Sequence, residues 1–148
     1  MTQLQLRRTL PYEAYALWQM VGDVERYPEF IPWIKGLRIY NREKPSDDVE
    51  RFDCDVKVGF KMLSEQFATR VTRAEAALLV DFDLIRGPFR QLKGRWSFMP
   101  VLGGTEVSFD LDIDIKNPLL DLLFKANFNM AVNRLLAIFE DRARHLYG

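Results

Sequence analysis

A chain of 148 residues, 48% of them hydrophobic, fits one domain with a substantial core, read here as a single unit over 1–148. Lys plus Arg, 21, equals Asp plus Glu, 21, so the basic excess of nucleic-acid binders is missing and no direct DNA binding is expected. Cys54 and His145 are the only cysteine and histidine, which excludes an intramolecular disulfide and leaves too few ligands for a Cys/His zinc site; neither a metal nor a cofactor is expected.

Residues 3–10 read as a first strand. Pro11 suits the first position of a short amphipathic helix over YEAYALWQMV. Asp23 is placed to cap a second short helix, which Pro28 interrupts and Pro32 ends. No apolar run reaches the roughly 18–20 residues that cross a membrane. The N-terminal stretch lacks the continuous apolar segment of a signal peptide. The expected location is cytoplasmic, with a peripheral place at the inner face of the membrane.

From about residue 36 to 115 the hydrophobic period is two. Phe52, Cys54, Val56, Val58 and Phe60 share a face, with Asp53, Asp55 and Lys57 on the other. Leu63, Phe67 and Val71 align, as do Leu78, Val80, Phe82 and Leu84, then Leu92, Trp96 and Phe98 with Gly94. Val107, Phe109, Leu111, Ile113 and Ile115 oppose Asp110, Asp112 and Asp114. Such alternation marks strands with one buried and one wet face. Turns at Ser46-Asp47-Asp48, Gly87-Pro88 and Gly103-Gly104 are short enough to imply an antiparallel meander. Asn117 and Pro118 then fit the N-cap and first position of a closing helix of about 28 residues, roughly 42 Å long. Phe124, Phe128, Ala131, Val132, Leu135, Ile138 and Phe139 form its apolar stripe.

The expected fold is therefore α+β: a curved antiparallel sheet of about six to seven strands wrapped around a long C-terminal helix, with two short helices after the first strand. A twisted sheet curls, and a helix laid in its concavity leaves a gap for large side chains or a ligand. Phe60, Phe67, Phe82, Trp96, Phe98 and Phe109 are candidates for one wall, closed by Phe128, Val132 and Leu135. They equally suit a filled core. Glu65 shares the parity of Leu63 and Phe67 and so points inward. A carboxylate there needs a partner or a role, as a contact for a ligand head group or as an acid or base, unless it pairs with a cation or escapes at a bulge. Tyr12, Tyr27 and Tyr40 are the other candidate acid–base groups; they form no evident constellation with it, and the expectation is a protein that is not an enzyme. Leu119, Leu122 and Leu123 point away from the sheet on a helical wheel. They read either as a surface covered by a loop or a second copy, or as an apolar lip for transient membrane contact.

Four segments, MVGDVERYPEFIPWIKGLRI, DVKVGFKMLSEQFATRV, GPFRQLKGRWSF and the closing FEDRARHLYG, resemble the coenzyme Q-binding, START-like proteins of the polyketide cyclase/dehydrase superfamily. The most specific part is Asp23-Val24-Glu25-x-Tyr27-Pro28-x-Phe30-x-Pro32-Trp33, and Trp33 joins the expected ligand-binding residues. Ile34 stands where relatives often carry Cys. The resemblance implies a helix-grip fold and a ubiquinone-binding lipid chaperone that supports respiration without chemistry on the quinone. It equally reaches a bacterial branch described as a ribosome-association toxin, so a ribosome or respiratory-chain partner is the alternative to a prenylated lipid. A cyclase/dehydrase-type enzyme is the second alternative.

Overall fold

The computed structural model describes residues 2–60 and 63–148, and the side chains of Phe60 and Leu63 lie outside the described set. In chain order it contains β1 (Thr2–Leu10), α1 (Ala14–Gly22), a 3₁₀ turn (Val24–Arg26), α2 (Tyr27–Phe30), β2 (Ile34–Ser46), β3 (Val49–Phe60), β4 (Leu63–Ala74), β5 (Leu79–Arg86), β6 (Phe89–Val101), β7 (Gly104–Ile115) and α3 (Pro118–Tyr147). The strands form one sheet in the order β1-β7-β6-β5-β4-β3-β2, every neighbouring pair antiparallel. The meander runs from β2 to β7, and β1 closes on the far side of β7. α3 lies across the inner face, as the sequence pattern requires.

Alternation sorts the two faces. On the outer face, Tyr40, Asp53, Arg70, Asp83, Lys93, Asp112 and Gln3 stand opposite one another in turn across all seven strands. A neighbouring row runs Glu43, Arg51, Thr72, Asp81, Arg95, Asp110 and Gln5. Opposite charges meet at most crossings: Arg70 donates to Asp53 at 2.9 Å and Arg95 to Asp81 at 2.8 Å. Each such cross-strand pair contributes roughly 0.2–1 kcal/mol. The inner face carries the core, from Phe52, Cys54 and Val56 through Val71, Val80 and Trp96 to Phe109 and Ile113.

Several local expectations are corrected. Pro11 does not begin α1, which starts at Ala14. The chain is held back because the buried Thr105 hydroxyl donates to the Tyr12 carbonyl at 2.6 Å, tying this segment to β7. Asp23 makes no cap hydrogen bond and pairs with Arg26 instead. Pro28 does not interrupt a helix but sits in the first turn of α2, where its missing N–H costs nothing. Leu78 is not in β5: its φ of 53° places it in the preceding turn, closed by its N–H onto the Glu75 carbonyl. Ala131 is exposed, and the buried stripe of α3 is Phe128, Val132, Leu136, Phe139 and Ala143. Asn117 does cap α3, its side-chain oxygen accepting from the N–H groups of Leu119 and Leu120.

Asp53 is the most deeply buried member of the outer ladder, 5% exposed. Hydrogen bonds from Arg70 and Asn41 hold its carboxyl below the usual carboxylate range. The native state therefore binds this proton more weakly than the unfolded chain. The resulting stability is fully present above the unfolded pKa, about 4, and is lost as pH falls through the lower native value. Asp53→Asn should cost roughly 1–2 kcal/mol at pH 7. The deficit should shrink as pH drops below about 4, measured by urea unfolding at several pH values.

Candidate functional site

The inner surface has two unlike ends. At the α1 end it is closed. Leu17, Trp18 and Val21 of α1, Trp96 and Phe98 of β6, and Leu136 and Phe139 of α3 are all buried in one cluster. The Trp96 and Phe109 rings stand 4.4 Å apart, and Trp96 meets Phe139 edge-on at 5.1 Å. Tyr27 and Phe30 close on Phe139 at 5.4 and 5.5 Å. Trp18 donates its indole N–H to the Leu79 carbonyl, and Tyr27 its hydroxyl to the Val21 carbonyl. The void left among Leu17, Val21, Trp96, Val107 and Leu136 is about 20 Å³, room for one water-sized sphere. Trp96, Phe98 and Phe109 therefore fill the core in this arrangement, and a ligand reaching them must displace side chains.

The other end is covered less completely. Trp33, Ile34, Val58, Phe67, Phe82, Leu84, Phe89, Phe124 and Leu135 are half-buried and pack against the two core clusters. Phe67 and Phe89 meet at right angles at 5.5 Å, and Phe124 leans on Phe128 at 4.9 Å. The start of α3 is held here by the Lys116 N–H on the Pro88 carbonyl. Of the sequence-derived lining, this end collects Trp33, Phe67, Phe82 and Leu135, while Phe128 and Val132 are buried beneath it. The Phe60 side chain lies outside the described residues. Leu119, Leu122 and Leu123 are 65, 66 and 46% exposed, and Met130 continues their stripe at 66%. The first half of α3 is thus apolar on both its faces.

Glu65 stands on the inner face. The β3–β4 register is unbroken from Phe52↔Val71 through Cys54↔Thr69 and Val56↔Phe67 to Val58↔Glu65. On β2, Ile34 pairs with Val58, so Ile34, Val58 and Glu65 form one row beside Trp33, whose carbonyl accepts from Gly59 at 2.9 Å. Arg134 of α3 lies over the Trp33 ring at 5.9 Å, a neighbour with no sequence signal because the two residues are far apart in the chain. The candidate acid–base groups do not converge. Tyr40 is on the outer face, donating to Asp55 at 2.9 Å, and the Tyr27 phenol is buried at the end of α1 with its pKa pushed up by burial. Cys54 is fully buried, and burial pushes its thiol up to about 12, which makes it a core residue and not a nucleophile.

A second, larger hollow of about 900 Å³ lies on the outer face, lined by Gln3, Gln5, Asp81, Asp83, Lys93, Arg95, Asp110 and Asp112. Four carboxylates, Asp81, Asp83, Asp110 and Asp112, surround Lys93 and Arg95 there, and it offers little to an apolar ligand.

The model of the family described as polyketide cyclase/dehydrase and lipid transport matches residues 10–140. A ribosome association toxin from Pseudomonas aeruginosa is 35% identical over 99% of both chains. A mitochondrial coenzyme Q-binding protein from Dictyostelium discoideum is 24% identical over 97% of this chain and 70% of its own length. Among solved structures, an 18 kDa protein from Caulobacter crescentus superposes with a TM-score of 0.84 at 40% identity, covering 100% of this chain and 99% of that one. A START superfamily protein from Mycobacterium smegmatis superposes at 0.80 with 24% identity, covering 97% and 98%, a likeness of fold alone. The fold is the START-like helix grip, and the chain belongs to the polyketide cyclase/dehydrase and lipid transport family.

Proposed function

We propose that this protein binds and delivers a prenylated quinone of the ubiquinone class, holding it between the sheet and α3 without transforming it. The observation that carries the reading is the half-covered apolar surface from Trp33 and Val58 across Phe67 to Leu135. An isoprenoid chain gains about 0.8 kcal/mol for each buried CH₂, so a few units on such a surface suffice for useful affinity. The family's lipid-transport members and the coenzyme Q-binding relative support the same choice. The closed arrangement leaves about 20 Å³ beside Trp96, so the ligand lies at the half-covered end and goes deeper only by displacing side chains. Organic extraction of the purified protein followed by mass spectrometry should recover a prenylated quinone. A ubiquinone analogue should quench tryptophan fluorescence saturably, first at the half-buried Trp33 and then at Trp96, resolved with single-tryptophan variants. No extracted lipid and no saturable quenching would remove the reading.

Delivery needs a route to the bilayer, and the exposed Leu119, Leu122 and Leu123 supply an apolar lip beside the half-covered end. With no net charge, docking should depend on apolar insertion more than on lipid charge, and salt should matter little. Changing all three leucines to Ser should abolish weak liposome flotation while leaving the circular dichroism spectrum and quinone binding in detergent intact. Unchanged flotation of the folded variant would assign these leucines another role.

A second reading is favoured by the relatives at 31–35% identity that are named ribosome association toxins: the protein binds the ribosome. Its test is co-sedimentation with ribosomal subunits across a salt series. Binding to RNA phosphates should weaken steeply with salt, and no co-sedimentation at low salt would exclude it.

A further inference from the structure

Other acidic and basic residues of inner-face parity find partners among the described residues. Arg8 reaches Glu140 at 3.4 Å and Asn133 at 3.5 Å on α3. Glu50 pairs with Arg73 at 3.6 Å and with Arg42 at 3.7 Å. Glu65 makes no hydrogen bond or ion pair among the described residues, although it is half-buried and held at the head of the Ile34–Val58–Glu65 row. The unbroken β3–β4 register keeps its Cα–Cβ bond on the inner side. A half-buried carboxylate without a protein partner is suited to take one from a ligand.

We infer that Glu65 makes this site select the reduced, hydroxyl-bearing form of a ring head group over its oxidised, carbonyl form. The inference rests on the quinone-binding reading above. A carboxylate accepts hydrogen bonds and donates none. A quinone ring also carries only acceptors, its carbonyl and ether oxygens, so beside Glu65 it sets lone pairs against lone pairs and leaves the carboxylate desolvated and unpaired. The corresponding quinol presents O–H donors, and a hydroxyl on a carboxylate makes a short, charge-assisted bond. Arg134, which lies over the Trp33 ring at 5.9 Å, supplies donors only. A quinol hydroxyl both donates and accepts, so the reduced head satisfies Glu65 and Arg134 together. The oxidised head satisfies Arg134 alone.

The test titrates the full chain in detergent with a short-chain ubiquinone and with its borohydride-reduced form, anaerobically, by calorimetry. The reduced form should bind roughly tenfold or more tightly, the size expected for one charge-assisted hydrogen bond against none. In Glu65→Gln the amide can donate as well as accept, and the ratio of the two affinities should fall toward unity; Glu65→Ala should do the same. Equal affinity for both forms in the parent, or a preference kept in a variant with native circular dichroism, overturns the inference while leaving quinone binding intact. Binding of neither form overturns the quinone reading and the inference with it. The parent ratio decides the matter even where a variant fails to fold.

Discussion

The structure depends on one constraint: strand pairing that keeps a two-residue alternation from β3 to β7, with register shifts only beside Ala68 and Phe89. The β3–β4 pairing runs from Val49↔Ala74 to Phe60↔Leu63 without a shift. A slip of one residue would turn Asp53 and Asp55 into the core and Phe52 and Cys54 out to water. The outer ladder opposes such a slip, since Arg70 is opposite Asp53, Arg95 opposite Asp81, and Lys93 lies between Asp83 and Asp112. Cross-strand charge pairs are individually small, and the strict split between an apolar and a charged face does most to fix the register. Register thus delivers one face for charge and one for apolar packing, and α3 and the candidate site exist because the second face must be covered.

How that face is covered differs along its length, and function is attached to the difference. At the α1 end, interlocked aromatic rings and the Trp18 and Tyr27 hydrogen bonds fix the cover in place. At the other end the described tie at the start of α3 is the Lys116–Pro88 backbone bond, the Asn117 cap lying within the helix itself. Few ties and half-exposed apolar contacts mark segments that open at low cost. The same turns of α3 carry apolar residues on both faces, with Leu119, Leu122, Leu123 and Met130 opposite Phe124, Phe128 and Val132. An apolar helix face usually lies buried. Here a second apolar face is turned outward, alongside the Lys125–Asp121 ion pair, which suits an element that moves between protein, ligand and lipid.

The sheet was legible because alternation reports which face a residue takes, and the runs from Phe52 to Phe60 and from Val107 to Ile115 alternate without interruption. The cap and start of α3 were legible from Asn117 and Pro118. Pro11 and Leu78 were misread for the same reason. Their conformations are set by a long-range bond from Thr105 to the Tyr12 carbonyl and by a turn with positive φ at a leucine, neither of which local propensity announces. Parity also could not say whether inward aromatics meet one another or a ligand. Trp96 and Phe109 share a face with Phe67, yet the first two are packed ring on ring and the third is half-covered. Arg134 over Trp33 was invisible because nothing in a helical repeat predicts contact with a residue before β2.

The central claim is that a prenylated quinone occupies the inner surface at its half-covered end. The most direct measurement is a nuclear magnetic resonance titration of isotope-labelled protein with a short-chain ubiquinone, reading shift changes and ligand-to-protein Overhauser contacts. The account predicts contacts from isoprenoid protons to Val58, Phe67, Phe82 and Leu135, with broadening along the first turns of α3. Shift changes confined to the outer ladder around Asp83, Lys93 and Asp112, or no changes at saturating quinone, would contradict it.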